Sequence, residues 1–145
     1  MNVTMTWAVR SDLNVVIEIE NEIFDDPWTL GFLHRTLRAR NTITYVLKKD
    51  EVILGYLIYE LRKKEIRIIR MAVTPSAQRV GYGQYMVDCM IERLHKQKRD
   101  KLSALVDDSN VIANDFFRKC GLTVVGVSRR YFDNGQDAYL MEISK

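Results

Sequence analysis

The sequence contains few of the residues that build metal and disulfide sites. Of its 145 residues, two are cysteines, Cys89 and Cys120, and two are histidines, His34 and His95. Neither cysteine has another Cys or a His close by in the sequence, and no acidic residues recur at ligand spacing, so neither a zinc site nor a redox pair is indicated. We therefore expect no metal, and two cysteines that pack as small apolar side chains.

Long apolar runs are also missing. No segment approaches the roughly 20 apolar residues that a membrane-spanning helix needs, and the first six residues lack the basic start and apolar core of a signal peptide. We expect a cytoplasmic protein with no membrane contact. The net charge of +3 is too mild to indicate direct nucleic-acid binding, although it suits an anionic cofactor.

What the chain does contain is a regular succession of strand and helix patterns, which fits one domain over residues 1–145. The apolar spacing predicts the order strand, helix, helix, three strands, helix, strand, helix, strand, strand. Ser11 and Thr29 are expected to cap the first two helices, and Asp133-Asn134-Gly135 to turn the last hairpin. The predicted strands are 3–9, 42–49, 52–61, 66–73, 102–106, 122–132 and 137–143, and the last two helices are 83–99 and 111–119.

The most informative motif lies between the strand 66–73 and the helix that follows it. The connecting loop ends in Gln78-Arg79-Val80-Gly81-Tyr82-Gly83. Free N–H groups at a helix N-terminus favour a phosphate, and glycines let the backbone approach it closely. The third glycine of a dinucleotide fingerprint and the Gly-Lys-Ser/Thr of a nucleotide P-loop are both absent. The loop therefore predicts an anion site of another kind, or a plain tight turn.

This Gln/Arg-x-x-Gly-x-Gly pattern after a strand resembles the pyrophosphate loop of the GCN5-related N-acetyltransferases (GNAT), and the predicted order of elements matches that fold along nearly the whole chain. The resemblance implies an α/β (α+β) fold with a mixed seven-stranded sheet, about four helices, and a V-shaped splay between the fourth and fifth strands. Further motifs are similar to the RimI-type ribosomal-protein-alanine N-acetyltransferases: Phe24-x-x-Pro27-Trp28-Thr29, Ser109-Asn110, Phe116-Phe117-x-x-x-Gly121-Leu122, Arg130-Tyr131-Phe132 and Asp137-Ala138-x-x-Met141.

The resemblance implies acetyl-CoA as co-substrate. Its pantetheine arm is expected to pair with the strand before the loop, and the side chain of Asn110 to bond the same arm. The N–H of Val73 is expected to stabilise the oxyanion that forms when an amine attacks the thioester. The residues expected to bind the cofactor are Met71, Ala72, Val73, Gln78, Arg79, Val80, Gly81, Tyr82, Gly83, Gln84, Asn110 and Phe117.

The chain departs from its relatives at the residues that move protons. Leu105 occupies the position of the family's catalytic glutamate, and Phe117 that of its catalytic tyrosine. Losing a positioned acid or base costs about 10²- to 10⁴-fold in rate. Asp107 is a candidate replacement, since strand alternation puts it on the same face as Leu105, although a solvated strand-end aspartate is the alternative interpretation. Tyr131 is a second candidate, acting through water.

The resemblance also implies an acceptor, the α-amine at the N-terminus of a protein or peptide, with ribosomal proteins among the candidates. Its groove is expected to be bordered by Glu20, Glu22, Trp28 and Tyr131. Two alternatives stay open: acetylation of a small-molecule amine, and an acyl-CoA-binding module with weakened catalysis. The protein is expected to be a monomer or a weak homodimer.

Overall fold

A seven-stranded mixed sheet forms the centre of the molecule. The computed structural model describes residues 2–145, and in it the strands lie side by side in the order β1-β2-β3-β4-β5-β7-β6. All neighbouring strands are antiparallel except β4 and β5, which are parallel because the helix between them carries the chain back. The strands are β1 (Thr4–Trp7), β2 (Thr42–Lys49), β3 (Val52–Leu61), β4 (Glu65–Val73), β5 (Lys101–Asp107), β6 (Thr123–Ser128) and β7 (Ala138–Ser144).

Residues 2–145 also form four α-helices: α1 (Leu13–Ile23), α2 (Leu30–Leu37), α3 (Tyr82–Lys96) and α4 (Val111–Lys119). Thr29 caps α2 as predicted, because its Oγ1 accepts a hydrogen bond from Phe32 N at 3.0 Å. The expected cap at Ser11 is wrong. Ser11 lies inside a short 3₁₀ turn before α1, and the carboxylate of Asp12 accepts from Val9 N at 2.9 Å instead. Within residues 2–145, no helix is both long enough and apolar enough to cross a membrane.

The two faces of the sheet carry separate apolar cores. On one face α3 and α4 cover the central strands through Met86, Met90 and Phe117. On the other face α1 and α2 cover β2, β3 and β4 through Val16, Ile19 and Leu33. Alternating side chains of β3 supply both cores, with Leu57 and Tyr59 on the first face and Tyr56 and Ile58 on the second.

The expected splay between the fourth and fifth strands is present. β4 and β5 pair from Glu65 with Lys101 as far as Ile68 with Ala104, and no further. At that point Ile69 is an extra residue in β4, since Ile58 of β3 pairs with Arg70 and Tyr59 pairs with Ile68. A bulge of this kind bends its strand. The remainder of β4 therefore leans away from β5 and leaves a wedge between them.

The last hairpin has the predicted turn but shorter strands than expected. β6 ends at Ser128 and β7 begins at Ala138, so both strands stop short of the predicted turn at Asp133-Asn134-Gly135, which is present. The loop is closed by its own hydrogen bonds, from Arg130 N to Asp137 Oδ1 at 2.8 Å and from Gly135 N to Phe132 O at 2.9 Å. These bonds replace the strand ladder and form a broad loop beside the wedge.

Candidate active site

The backbone of β4 faces the wedge at alternate residues. Thr74 N donates to Leu54 O at 2.8 Å, which makes the Gly55–Val73 pair of the register a non-hydrogen-bonded one. The N–H of Val73 therefore points away from β3 and into the wedge, and by the same alternation so do the backbone groups of Met71. The expectation for Ala72 is corrected, because its N–H and C=O point toward Tyr56 of β3.

A glycine in β3 allows this close pairing. A Cβ on Gly55 would lie 2.7 Å from the carbonyl oxygen of Ala72, which is too close for any side chain. Val73 is held from the other side as well, since Gln78 Nε2 donates to its carbonyl oxygen at 2.9 Å. The strand end that carries the Val73 N–H is thus fixed by both neighbours.

The glycine loop opens α3 as the sequence predicts. Gly81 is the residue before the helix and has φ of +95°, in the left-handed region that favours glycine. Arg79 also has a positive φ, of +67°, so successive loop N–H groups turn toward one side. Gly83 lies against α4, because a Cβ there would be 3.0 Å from Phe116 Cε1. It lets the two helices approach each other.

A cleft of about 790 Å³ runs along the wedge between the α1–α2 loop and the β6–β7 loop. Its walls bring together many of the predicted residues: Trp28 and Thr29 from one side, Met71 from β4, Leu105 and Asp107 from β5, and Asn110, Phe117 and Tyr131 from the other side. Charged residues at its walls are Asp25, Asp26, Arg35, Arg67, Arg70, Asp107 and Asp133.

Leu105 and Phe117 both line this cleft. Phe117 is buried, with 7% of its surface exposed, and Leu105 pairs with Leu140 of β7. Two apolar side chains therefore stand where proton-transferring groups were expected from the resemblance. Neither carries a group that can accept or donate a proton, so the chemistry of these walls is limited to packing and to excluding water.

Asp107 ends β5 with its carboxylate held in place. Ser109 N and Ser109 Oγ both donate to Oδ1 of Asp107, at 2.9 Å and 2.7 Å. The same turn is braced by Asn114, which is buried and donates to the carbonyl oxygens of Asp107 and Asn110 at 3.1 Å and 2.8 Å. The two bonds from Ser109 use one carboxylate oxygen, and the residue lies on the cleft wall. Asp107 is thus an oriented carboxylate and not a freely moving surface group.

Asn110 and Tyr131 lie on the far wall of the cleft. The side-chain oxygen of Asn110 accepts from Ala113 N at 3.0 Å and caps α4. The side-chain NH₂ group, at Nδ2, is therefore the part of Asn110 that is left for a ligand. Tyr131 has 52% of its surface exposed and packs edge-on against Phe132, with ring centroids 5.0 Å apart. Its hydroxyl sits on a loop and not on a strand.

The expected positions of Glu20 and Glu22 are wrong. Neither residue lines the cleft. Glu22 is exposed on α1, whereas Glu20 is 2% exposed and forms a network with Arg70, Trp28 and Tyr56. Arg70 donates to it through Nε and Nη2, each at 2.8 Å, and Trp28 N donates at 2.9 Å. The hydroxyl of Tyr56 donates as well.

The charge of Glu20 is stabilised by this network. Burial by itself would raise the pKa of the carboxyl, but the hydrogen bonds from Arg70, Tyr56 and Trp28 outweigh it and hold the pKa below its ordinary value. The sequence contained a signal for this burial. Glu20 follows Val16 by four residues and so belongs to the apolar face of α1.

The comparisons with known proteins decide the family. The sequence model of the Acetyltransferase (GNAT) family matches residues 13–122. The chain belongs to the GNAT family. It is therefore an N-acetyltransferase, and its seven-stranded sheet with the parallel β4–β5 pair is the GNAT fold.

The GNAT relatives include enzymes that act on ribosomal proteins. The chain is 24% identical over 143 residues to the ribosomal protein bS18-alanine N-acetyltransferase of Escherichia coli K12, covering 97% of this chain and 96% of that protein. It is 29% identical over 143 residues to a Bacillus subtilis protein whose name provisionally assigns the same activity, covering 94% and 95%.

Solved structures show the same fold. The Escherichia coli ribosomal-protein-S18-alanine N-acetyltransferase superposes with a TM-score of 0.85 at 22% identity, covering 98% of this chain and 93% of that one. Arabidopsis thaliana Naa50, solved with the bisubstrate analogue CoA-Ac-MVNAL, superposes with a TM-score of 0.82 at 17% identity, covering both chains completely.

Proposed function

We propose that this GNAT enzyme transfers an acetyl group from acetyl-CoA to the N-terminal α-amine of a protein or peptide, by direct attack in a ternary complex. The observation that carries the proposal is the wedge between β4 and β5, toward which Met71 directs its backbone N–H and C=O and Val73 directs its N–H. A strand-like ligand arm bonds such an edge through main-chain pairing. Acetyl-CoA has an arm of this kind between its thioester and its pyrophosphate.

The glycine loop is the proposed site for the pyrophosphate. Arg79, Gly81 and the first turn of α3 present N–H groups and the positive end of a helix dipole. The side chain of Gln78 is committed to Val73, so its proposed contribution to the cofactor is reduced to positioning. The remaining proposed contacts are those of Val80, Tyr82 and Gln84 in the loop and of the Asn110 amide and the Phe117 ring in the wedge.

The reaction needs a hydrogen-bond donor that stabilises the oxyanion and a base that accepts one proton from the amine. The amine nitrogen forms a bond to the thioester carbonyl carbon, the carbon–sulfur bond breaks, and CoA leaves as a thiolate. Val73 N–H is the proposed donor to the carbonyl oxygen as negative charge develops there. The proton released by the amine goes to Asp107, directly or through a water molecule, and Tyr131 is the proposed source of the proton that neutralises the thiolate.

An α-amine suits a site whose walls include Leu105 and Phe117. Its reference pKa is near 8, so roughly a tenth of it is already neutral at pH 7, whereas a lysine amine near 10.4 is almost completely charged. A site with weakened base catalysis therefore discriminates between these two acceptors. The names of the bS18-alanine N-acetyltransferases and of the Sulfurisphaera tokodaii N-alpha-acetyltransferase, 22% identical over 147 residues, support the same acceptor.

Mass spectrometry of peptides incubated with the pure protein and acetyl-CoA tests the proposal. Peptides that begin with Ala, Ser or Met are expected to gain one acetyl group at the α-amine. The matched controls are the same peptides with a blocked α-amine, which should stay unmodified. Tight acetyl-CoA binding in calorimetry without turnover of any peptide or amine would instead favour an acyl-CoA-binding module.

Acetylation of a small polycationic amine is the second candidate. It is favoured by the carboxylates at the cleft wall, Asp25, Asp26, Asp107 and Asp133. The same incubation with spermidine and with an aminoglycoside distinguishes the two. Modification of these amines, with the peptides left unmodified, would replace the α-amine proposal.

A further inference from the structure

The network around Glu20 joins two parts of the molecule that lie far apart in sequence. Glu20 is on α1, Arg70 on β4, Tyr56 on β3, and Trp28 in the loop that forms one wall of the cleft. We call Glu20, Arg70 and the backbone N–H of Trp28 the Glu20 clamp. It is a chain of charge-assisted hydrogen bonds, which are about twice as strong as neutral ones.

The clamp fixes the cleft wall by more than hydrogen bonds. The guanidinium of Arg70 lies 3.6 Å from the ring centroid of Phe24 and 5.2 Å from that of Trp28. Its Nη2 also approaches the carbonyl oxygen of Asp26 at 3.4 Å. Both aromatic rings and Asp26 line the cleft. Arg70 therefore braces three successive parts of the α1–α2 loop from beneath.

We propose that the Glu20 clamp positions the acceptor wall, so that Glu20, which does not line the cleft, determines how tightly the acceptor binds by holding Arg70 and Trp28 in place. The inference rests on the proposed function, because it assigns the α1–α2 loop to the acceptor. Trp28 and Phe24 bind the acceptor in the geometry that the clamp imposes. Glu20 and Arg70 are positioning residues.

The cofactor side of the wedge is held independently. β4 is paired with β3 at Ile58–Arg70 and Tyr56–Ala72 through its backbone, whatever the Arg70 side chain does. Breaking the clamp therefore loosens the α1–α2 loop and leaves the Met71 and Val73 edge in place. Variants that break the clamp are therefore expected to raise the KM for the acceptor and to leave the affinity for acetyl-CoA unchanged.

Steady-state kinetics of Glu20→Gln and Arg70→Lys, together with acetyl-CoA binding measurements, test whether only the acceptor is affected. The acceptor KM is expected to rise about tenfold or more, as the loss of a hydrogen bond between charged groups implies, while kcat and the Kd for acetyl-CoA stay within about twofold. Glu22→Gln, a change to an exposed glutamate on the same helix, is the matched control and should leave all three unchanged. A parallel rise in the acetyl-CoA Kd would overturn the proposal.

Tyr56→Phe separates positioning from stability. It removes the Tyr56 hydrogen bond to Glu20 but leaves those of Arg70 and Trp28, so it is expected to lower the Tm without raising the acceptor KM. If Tyr56→Phe raised the KM as much as Glu20→Gln at equal loss of Tm, the effect would be one of stability alone, and the positioning role would be refuted.

A readout without turnover keeps the clamp testable if the proposed function fails. The two tryptophans of the chain are Trp7 and Trp28, so in a Trp7→Phe background the fluorescence reports on Trp28 alone. Glu20→Gln is expected to make Trp28 more accessible to acrylamide, whereas Glu22→Gln is not. Equal quenching in both variants would refute the clamp, while a wild type that acetylates no α-amine would refute only the acceptor assignment.

Discussion

At the scale of single residues, the site is defined by two apolar side chains and one held carboxylate. Leu105 and Phe117 line the cleft, and Asp107 stands two residues beyond Leu105 with Oδ1 bound by Ser109. The proposed cofactor-binding and oxyanion-stabilising groups do not depend on these side chains, since they belong to the backbone of β4. We therefore expect a slow but measurable acetyltransferase, whose rate depends strongly on the acceptor's own pKa.

Restoring the two proton-transferring groups should accelerate the enzyme. The double change Leu105→Glu, Phe117→Tyr supplies a base and an acid at the cleft wall, and kcat is expected to rise about a hundredfold, the low end of what positioned proton transfer contributes. The single changes should each give less. Initial rates of CoA release measure it, with Leu105→Gln, which adds polarity but no base, as control. A double variant no faster than the wild type would show that these positions do not limit the rate.

Removing the held carboxylate should slow the reaction. Asp107→Asn keeps the shape of the side chain but cannot accept a proton, so kcat/KM is expected to fall about ten- to a hundredfold at pH 7. Asp108→Asn, the adjacent aspartate, which does not line the cleft, is the control. If kcat/KM fell equally in both variants, or in neither, Asp107 would have no role in proton transfer and would serve only to hold the turn with Ser109.

At the scale of elements, the bulge in β4 and the glycine in β3 create the site together. Ile69 bends β4 away from β5, and Gly55 lets β3 remain close to the strand end that bears Val73. The opening is therefore a property of strand pairing and not of any catalytic side chain. Such an opening persists even when residues such as Leu105 and Phe117 change.

A methyl group at Gly55 should disturb this arrangement. Gly55→Ala places a Cβ 2.7 Å from the Ala72 carbonyl oxygen, so β4 must shift, with an expected loss of about 1–3 kcal/mol in the free energy of unfolding. Acetyl-CoA binding, measured by calorimetry, should weaken with it. Gly126→Ala in β6 is the matched control, since a Cβ there meets nothing within 4 Å. Unchanged acetyl-CoA affinity in Gly55→Ala would show that the Val73 end of β4 does not take part in binding acetyl-CoA.

Elements with strong local patterns were predictable from sequence, and features set by distant partners were not. The bounds of β2, β3 and α4 are confirmed because alternation, polar turns and an Asn cap mark them locally. The turn at Asp133-Asn134-Gly135 was predicted, but the strands beside it are shorter than expected, because the Asp137 carboxylate accepts from Arg130 N in place of a strand hydrogen bond. The orientation of Glu20 depends on Arg70, 50 residues later, and no local pattern reveals such a partner.

At the scale of the whole molecule, β3 contributes to the cores on both faces of the sheet, and the Glu20 clamp lies on the face that α1 and α2 cover. Glu20 is buried on α1, and the wedge begins beyond Ile68 and Ala104, where β4 and β5 stop pairing. The proposed function requires that the cofactor and the acceptor occupy this wedge together and meet at Val73.

The buried ion pair should make stability depend on acidity. The pKa of Glu20 is lower in the folded protein than its ordinary value of 4.5, so its stabilising contribution is fully present above that value and is lost as the pH falls through the folded pKa. Urea unfolding of the wild type and Glu20→Gln is expected to show a difference in unfolding free energy that shrinks as the pH falls below about 4.5. A difference that stayed constant down to low pH would contradict an ionised Glu20.

The position of the acetyl group on one peptide tests the central claim most directly. A peptide with a free N-terminal alanine and an internal lysine offers both amines to the same enzyme at the same concentration, and tandem mass spectrometry locates the modification. The account predicts acetylation of the α-amine, with the lysine unmodified. Acetylation of the lysine, with the α-amine free, would contradict it.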